Sequence, residues 1–217
     1  MPQTSGANVI KIITIEREYG SGGGEIAQLV AQQLGWKLWD QLLTEEIAKL
    51  ANCPRAVVEV REERNDPLHY RLFKSFLRGS YEGSLNAHKL NVVDSESILK
   101  ITRRVVEQVS KEGNSVLVGR GSQQFLRDRQ DTLRVFLYAP REDKVQRLLT
   151  RGKSQVEAEH LVDTVDRERK DFIQKYFGAE WPDRGVYHTM INTTIGNRAV
   201  VDMILDSVKI VNASLAA

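Results

Sequence analysis

Five short apolar segments are distributed along the chain, and each has the length and residue types of a buried strand. They lie at residues 9–15, 36–39, 115–118, 133–138 and 189–192. The first, VIKIITI, is rich in β-branched residues and almost continuously apolar, as expected for a parallel strand that is buried on both faces. The pattern predicts a parallel sheet of five strands.

Between these segments, apolar residues recur at the spacing of amphipathic helices. The predicted helices cover residues 26–34, 41–52, 95–112, 141–151, 154–177 and 200–211. Gly35 ends the first of them, Asp40 can cap the second, and Ser154 with Glu157 forms a capping-box pattern. The alternation of strands and helices is typical of an α/β fold with helices on both faces of the sheet.

Residues 54–94 are less regular and more charged than the rest of the chain. Asp66-Pro67 in this region is typical of a helix start. An apolar stripe follows, and Arg71, Lys74 and Arg78 fall on another face. That basic face could hold an acceptor phosphate or a partner, or it could simply be solvated. Because 217 residues fit one well-buried core, we expect residues 1–217 to form a single domain.

The most informative local feature is the glycine cluster Gly20-Ser21-Gly22-Gly23-Gly24, which lies between a predicted buried strand and a predicted helix. Glycine permits positive φ and lets backbone N–H groups approach a ligand closely. The helix start adds free N–H donors and a partial positive charge. The arrangement predicts a phosphate-binding loop, with a tight flexible turn as the alternative.

The cluster completes neither of two familiar nucleotide-binding patterns. In the Walker pattern GxxxxGK[ST], lysine follows the last glycine, but here Glu25 does. The string Gly152-Lys153-Ser154 lacks the required earlier glycine, because residue 147 is arginine. The dinucleotide pattern GxGxxG also fails at Glu25, which disfavours an oxidoreductase.

Composition and charge exclude several classes of partner. The formal net charge is only +2, so no global field indicates nucleic acid or membrane binding. No apolar run approaches the roughly 18–20 residues of a membrane span. The single cysteine, Cys53, cannot form an internal disulfide, and the four histidines show no metal-binding spacing. We therefore expect a cytoplasmic protein that contacts neither nucleic acid nor membrane; its oligomeric state and any metal ligands stay open.

Several segments together are similar to one enzyme family. These are IITIEREYGSGGGEIAQLVAQQLGW, VLVGRG, LRVFLYAP and DRERKDFIQKYFG, followed by Trp181 and INTT. Over roughly residues 10–210 the chain resembles the cytidylate kinase-like family, a branch of the nucleoside monophosphate kinases. The resemblance implies a three-layer P-loop kinase fold with an acceptor-binding insertion at about 54–94 and a lid at about 151–184. It also implies transfer of the ATP γ-phosphoryl group to CMP or dCMP, with Mg²⁺.

The resemblance carries residue roles onto matching positions of this chain. The implied phosphate-binding residues are Gly20, Ser21, Gly22, Gly23, Gly24 and Glu25. The implied catalytic cations are Arg17, Arg120, Arg167 and Arg169. The implied substrate-binding residues are Asp40, Arg120, Arg151 and Asp166. Arg120, within the GRG segment, would grip the acceptor phosphate, while Arg167 and Arg169 would act from the lid.

Departures from the family pattern leave three hypotheses open. Gly23 stands where a phosphate-loop lysine is usual, and Glu25 stands where a Ser or Thr would hold Mg²⁺. The first hypothesis is a cytidylate kinase-like enzyme. The second is a sensor or regulatory module that binds nucleotide without turnover. The third is a kinase for another small phosphate acceptor, whose specificity would reside in residues 54–94.

Overall fold

The computed structural model describes residues 9–50 and 95–216, and a parallel five-stranded sheet lies at its centre. The strands are β1 (Ile12–Arg17), β2 (Lys37–Trp39), β3 (Ser115–Val118), β4 (Thr132–Tyr138) and β5 (Thr189–Asn192). Their order across the sheet is β2-β3-β1-β4-β5, and every neighbouring pair is parallel. The predicted parallel sheet is confirmed.

Helices connect the strands and cover both faces of the sheet. They are α1 (Gly23–Leu34), α2 (Gln41–Leu50), α3 (Ser95–Glu112), α4 (Ser122–Phe125), α5 (Arg141–Thr150), α6 (Gln155–Phe177) and α7 (Asn197–Ala216), with a 3₁₀ turn at Thr193–Ile195. The single-turn α4 and the 3₁₀ turn were not predicted, because so few residues show no periodicity. The helix predicted from Asp66 lies outside the described residues.

Alternate residues of the central strand enter two separate cores. Ile13 and Ile15 pack with α1 and α7, for example against Ile26. Ile12 faces the other side and belongs to a cluster that includes Phe172 of α6. This two-sided burial follows from the alternation of side chains along a strand, and it gives the predicted three-layer α/β architecture.

The end of β1 differs from the prediction in a way that matters for the site. The apolar pattern predicted a strand at residues 9–15, but β1 continues through Glu16 and Arg17, which pair with Phe136 and Leu137 of β4. Backbone pairing with a neighbouring strand continues although the side chains become charged. Glu16 and Arg17 are consequently only 4% and 3% exposed.

All five parallel strands end at the same edge of the sheet, where α/β proteins bind ligands. The glycine cluster follows β1, Asp40 follows β2, the segment 119–121 follows β3 and Thr193 follows β5. Among the described residues, no helix is both long enough and apolar enough to cross a membrane.

Candidate functional site

The glycine cluster forms a left-handed turn that leads directly into α1. Gly20 and Gly22 have φ values of 78° and 83°, which favour glycine. Gly22 is the N-cap of α1, and no side chain caps the helix there. The first N–H groups of α1 are therefore left to bind a ligand, and the helix dipole favours an anion.

Hydrogen bonds from three directions fix the shape of this loop. The Ser21 hydroxyl donates to the Glu18 carbonyl at 2.8 Å, and the Thr193 hydroxyl donates to the Ser21 carbonyl at 2.7 Å. Arg147 Nη1 donates to the Gly20 carbonyl at 2.9 Å. Ser21 is fully buried, so its side chain shapes the loop. Arg147 and Thr193 are supports that no local pattern in the sequence indicated.

The side chain of Arg17 runs from the end of β1 across the loop. A Cβ atom on Gly23 would lie 2.8 Å from both Cβ and Cγ of Arg17, and one on Gly119 would overlap Arg17 Nη1. Arg17 Nη1 lies 3.5 Å from Glu16 Oε1. The two other guanidinium nitrogens, Nε and Nη2, are buried without a hydrogen-bond acceptor.

Two further arginines lie beside Arg17, and together Arg17, Arg120 and Arg169 form what we call the arginine cluster. All three line one small pocket, together with Phe172 and Trp181. Arg169 Nη1 donates to the Arg17 carbonyl at 2.8 Å. The three residues are 3%, 2% and 7% exposed, so the pocket is lined by charges that water hardly reaches.

Arg120 is held in an uncommon backbone conformation. Its φ of 58° is left-handed and is flanked by φ values of 63° at Gly119 and 65° at Gly121. A non-glycine residue in this region is strained, and such residues cluster at functional sites. Arg120 Nη2 lies 3.8 Å from Asp40 Oδ1, so the structure brings two predicted substrate-binding residues together.

Among the described residues that line this pocket, positive charge exceeds negative charge, because Arg17, Arg120 and Arg169 line it together with one carboxylate, Glu16. Burial lowers the pKa of Arg120 to about 10, and burial with the nearby charge of Arg169 lowers the pKa of Arg17. Both groups stay protonated at neutral pH. Each arginine has one carboxylate nearby: Glu16 lies 3.5 Å from Arg17, Asp40 lies 3.8 Å from Arg120, and Asp166 lies 3.2 Å from Arg169. An anionic ligand would therefore be stabilised in this pocket.

The carboxylates near the loop are already engaged in hydrogen bonds. Glu16 accepts from the Arg17 backbone N–H and from Gln123 Nε2, each at 3.0 Å. Glu25 accepts from Arg151 Nη2 at 2.6 Å and from Asn197 Nδ2 at 3.0 Å. The described part of the chain contains no group of three or more His, Cys, Asp or Glu that could hold a metal. These residues fit phosphates, but they do not fit a Mg²⁺ site made by protein alone.

A partly buried ion network links the loop to α6. Asp166 accepts from the Tyr19 backbone N–H at 2.7 Å and from Lys144 Nζ at 3.2 Å. Lys144 Nζ also donates to Glu18 at 2.9 Å. Asp166, predicted to bind substrate, thus contacts the backbone of the loop. Lys144 was missed, because nothing near it in the sequence marks a partner 126 positions away.

The remaining predicted cations lie in two different environments. Arg151 lines the loop pocket with Arg17, Arg169 and the glycines. Arg167 is exposed on α6 and lines neither that pocket nor the pocket of the arginine cluster. Its predicted role therefore has no geometric support in this conformation and stays a prediction.

Comparison with known proteins gives a family and a fold. The model of the cytidylate kinase-like family matches residues 12–195. An uncharacterized protein from Eubacterium ventriosum is 22% identical, with a TM-score of 0.66 over 92% of this chain and 98% of its own. Shikimate kinases from Bacteroides thetaiotaomicron (14% identical) and Acinetobacter baumannii (18%) have TM-scores of 0.51. Their alignments cover 91% and 93% of this chain and 98% and 94% of theirs. No curated protein matches the chain.

Proposed function

Because the chain belongs to the cytidylate kinase-like family, we propose that it transfers the γ-phosphoryl group of ATP to CMP or dCMP. Family and fold support a nucleotide-binding phosphotransferase. The observation that carries the proposal is the arginine cluster, in which three buried arginines line a pocket that adjoins the glycine loop. Phosphoryl transfer depends on such charges, since negative charge spreads over the oxygens of the transferred group.

The two pockets suggest separate tasks for the residues around them. The glycine loop and the start of α1 would hold the donor phosphates through backbone N–H groups, with Arg151 at the rim. Arg120 and Arg169 would bind the acceptor phosphate through charge-assisted hydrogen bonds. Holding donor and acceptor in line supplies much of the rate enhancement in this chemistry. Mg²⁺ that arrives with the nucleotide would neutralise charge on the donor phosphates.

A sensor that binds nucleotide without turnover is the second candidate, and Glu25 favours it. This residue stands where the family pattern has a Mg²⁺-binding hydroxyl, and hydrogen bonds to Arg151 and Asn197 occupy its carboxylate. A site that binds the phosphates but positions the metal poorly would retain nucleotide and transfer its phosphate slowly.

A turnover assay with a binding measurement separates these candidates. Purified protein is mixed with ATP, Mg²⁺ and each of a panel of acceptors: nucleoside monophosphates, and small alcohols that carry an anionic group. We expect diphosphate product from CMP or dCMP. Calorimetry with ATP and with CMP runs in parallel. Binding of ATP with no phosphorylated acceptor would favour the sensor, and product from a non-nucleotide acceptor alone would change the substrate class.

A pair of arginine variants controls the assay. Arg120→Ala removes a buried cation from the cluster, whereas Arg127→Ala removes an exposed one. We expect turnover to fall only in Arg120→Ala. Equal activity in both variants would contradict the proposed acceptor site.

A further inference from the structure

The glycine loop contains no lysine, yet the volume that a side chain at position 23 would occupy is already filled. Cβ and Cγ of Arg17 lie there, 2.8 Å from where a Cβ on Gly23 would be. We infer that Arg17 is the phosphate-loop cation of this protein, presented from the end of β1 rather than from the first residue of the helix. The inference rests on the proposed function. It gives Arg17 one task in that site, which is to contact the transferred phosphoryl group.

The side chain of Arg17 fits where it does because two neighbouring residues are glycines without a Cβ atom. Gly23 lies beside the aliphatic stem, and Gly119 lies beside Nη1, so any side chain at either position would collide with the arginine. Gly23 is the first residue of α1, and it stands where the family pattern has a phosphate-loop lysine. A lysine at position 23 and the observed position of the Arg17 side chain therefore exclude each other.

The guanidinium of Arg17 has hydrogen-bond donors that the described residues do not satisfy. Nε and Nη2 are buried without an acceptor, and Nη1 reaches only Glu16 at 3.5 Å. Unsatisfied buried donors are costly, and most have partners in folded proteins. A phosphate offers the anionic oxygens that a planar guanidinium binds with two parallel bonds.

Other cations around the loop are committed to protein acceptors. Lys144 Nζ is bound to Glu18 and Asp166, and Arg147 donates to the Gly20 carbonyl. Arg151 is bound to Glu25 at 2.6 Å. These contacts hold the loop and its rim in place, and they leave Arg17 as the better candidate for the transferred phosphate.

Arg17 also lies where the two pockets meet. It lines the loop pocket with the glycines and the deeper pocket with Arg120. In the transfer, the bond from the γ-phosphorus to the β,γ-bridging oxygen breaks, and its electron pair leaves with the nucleoside diphosphate. A bond forms from an acceptor phosphate oxygen to the same phosphorus. Arg17 would stay in contact with the γ-oxygens throughout and would move no proton.

Moving the positive charge tests the inference directly. Arg17→Met removes the charge and keeps most of the aliphatic stem. The double variant Arg17→Ala/Gly23→Lys removes the side chain that would collide with a residue at position 23 and places a lysine there, where the family pattern has one. We expect Arg17→Met to bind ATP about 10- to 100-fold more weakly and to lose about 100-fold in kcat. The double variant should recover at least about tenfold of that kcat. Arg141→Met, which removes an exposed cation on α5, is the control.

The outcomes separate this inference from the proposed function. Wild-type protein that neither binds ATP nor transfers phosphate would reject the proposed function itself. If Arg17→Met keeps the activity of the wild-type protein, the inference about Arg17 is overturned and the proposed function is not. A double variant that has a wild-type melting temperature but recovers no activity would also overturn the inference. Melting temperatures of all variants show whether any loss arises from unfolding, and Arg17→Met should melt no lower than wild type.

Discussion

The charged side chains of Arg17, Arg120 and Arg169 are each almost fully removed from water. Burying a charge is expensive unless it is paired and its donors are satisfied, and two guanidinium nitrogens of Arg17 have no acceptor among the described residues. The free protein therefore holds a destabilised site that an anionic ligand would relieve. Functional sites often retain such local instability, because the same groups that cost stability bind the ligand.

Replacing Arg120 by alanine should affect one ligand more than the other. If the guanidinium binds the acceptor phosphate, its loss should weaken CMP binding by about 1.5–3 kcal/mol, the range for hydrogen bonds to charged groups. ATP binding should change little, because Arg120 does not line the loop pocket. Calorimetric titration with each nucleotide measures both effects. An equal loss for ATP and CMP would contradict the assigned role.

A pair of glycine variants isolates the contact with Arg17. Gly119 and Gly35 have nearly the same φ, 63° and 64°, but a Cβ on Gly119 would overlap Arg17 whereas one on Gly35 would contact nothing within 4 Å. Both alanine variants should lose about 1 kcal/mol from left-handed strain. Gly119→Ala should lose a further 1–3 kcal/mol, roughly, from overpacking. Chemical denaturation measures the difference, and equal losses would show that Arg17 moves aside freely.

At the scale of elements, α6 connects the loop to the rest of the site. Asp166 and Arg169 lie one turn apart on this helix, and both reach the end of β1 or the loop that follows it. Asp163 lies one turn earlier and forms an exposed ion pair with Arg141. The helix thus presents one face to the loop and another to solvent, and the two aspartates offer a matched comparison.

We expect Asp166→Ala to destabilise the fold by on the order of 2 kcal/mol. It removes the acceptor for the Tyr19 N–H and leaves the poorly exposed Lys144 with Glu18 alone. Asp163→Ala should change stability by less than about 0.5 kcal/mol, as is usual for exposed ion pairs. ATP affinity should fall only in Asp166→Ala, since the loop loses a support. Denaturation and calorimetry on both variants test this; similar losses would show that Asp166 does not hold the loop.

The bounds of α3, α5 and α6 were predicted to within one residue, whereas α7 is eight residues longer than predicted. Ser154 accepts a hydrogen bond from the Glu157 N–H and caps α6, as the capping-box pattern predicted. By contrast, the end of β1 was predicted two residues too early. Its last residues are charged, and pattern analysis assigns charged residues to loops. Pairing with β4 decided the end of that strand, and the same pairing buries Arg17.

At the scale of the whole molecule, the sheet order gathers distant segments at one edge. The strands β1 and β3 are neighbours, so Arg17 and Arg120 meet although about a hundred residues separate them. The overall net charge is +2, yet three positive charges converge in one pocket. Net charge is a sum over the whole chain, so it could not reveal a local concentration of charge.

Ligand binding should stabilise the whole fold by mass action. At ATP concentrations near 100 times Kd, the expected gain is about 2.7 kcal/mol. For a chain of this size, that corresponds to a rise in Tm of roughly 5–10 °C. Thermal melts with and without ATP and Mg²⁺ measure it, with adenosine as the control for binding of the base alone. An equal rise with adenosine would show that the phosphates contribute nothing.

The sequence by itself determined the layered α/β fold, most helix bounds and the position of the glycine loop. These follow from local periodicity and from the conformational freedom of glycine, both of which act over a few neighbouring residues. It also indicated Arg17, Arg120 and Asp166, through a family resemblance.

Only the tertiary structure decided what those residues contact. It placed Arg17 in the space beside Gly23, joined Asp166 to the backbone of the loop, and added Lys144, Arg147 and Thr193 as supports. It also left Arg167 exposed. The physical reason is that contacts across a parallel sheet join residues far apart in sequence, and no local pattern records which strand lies beside which.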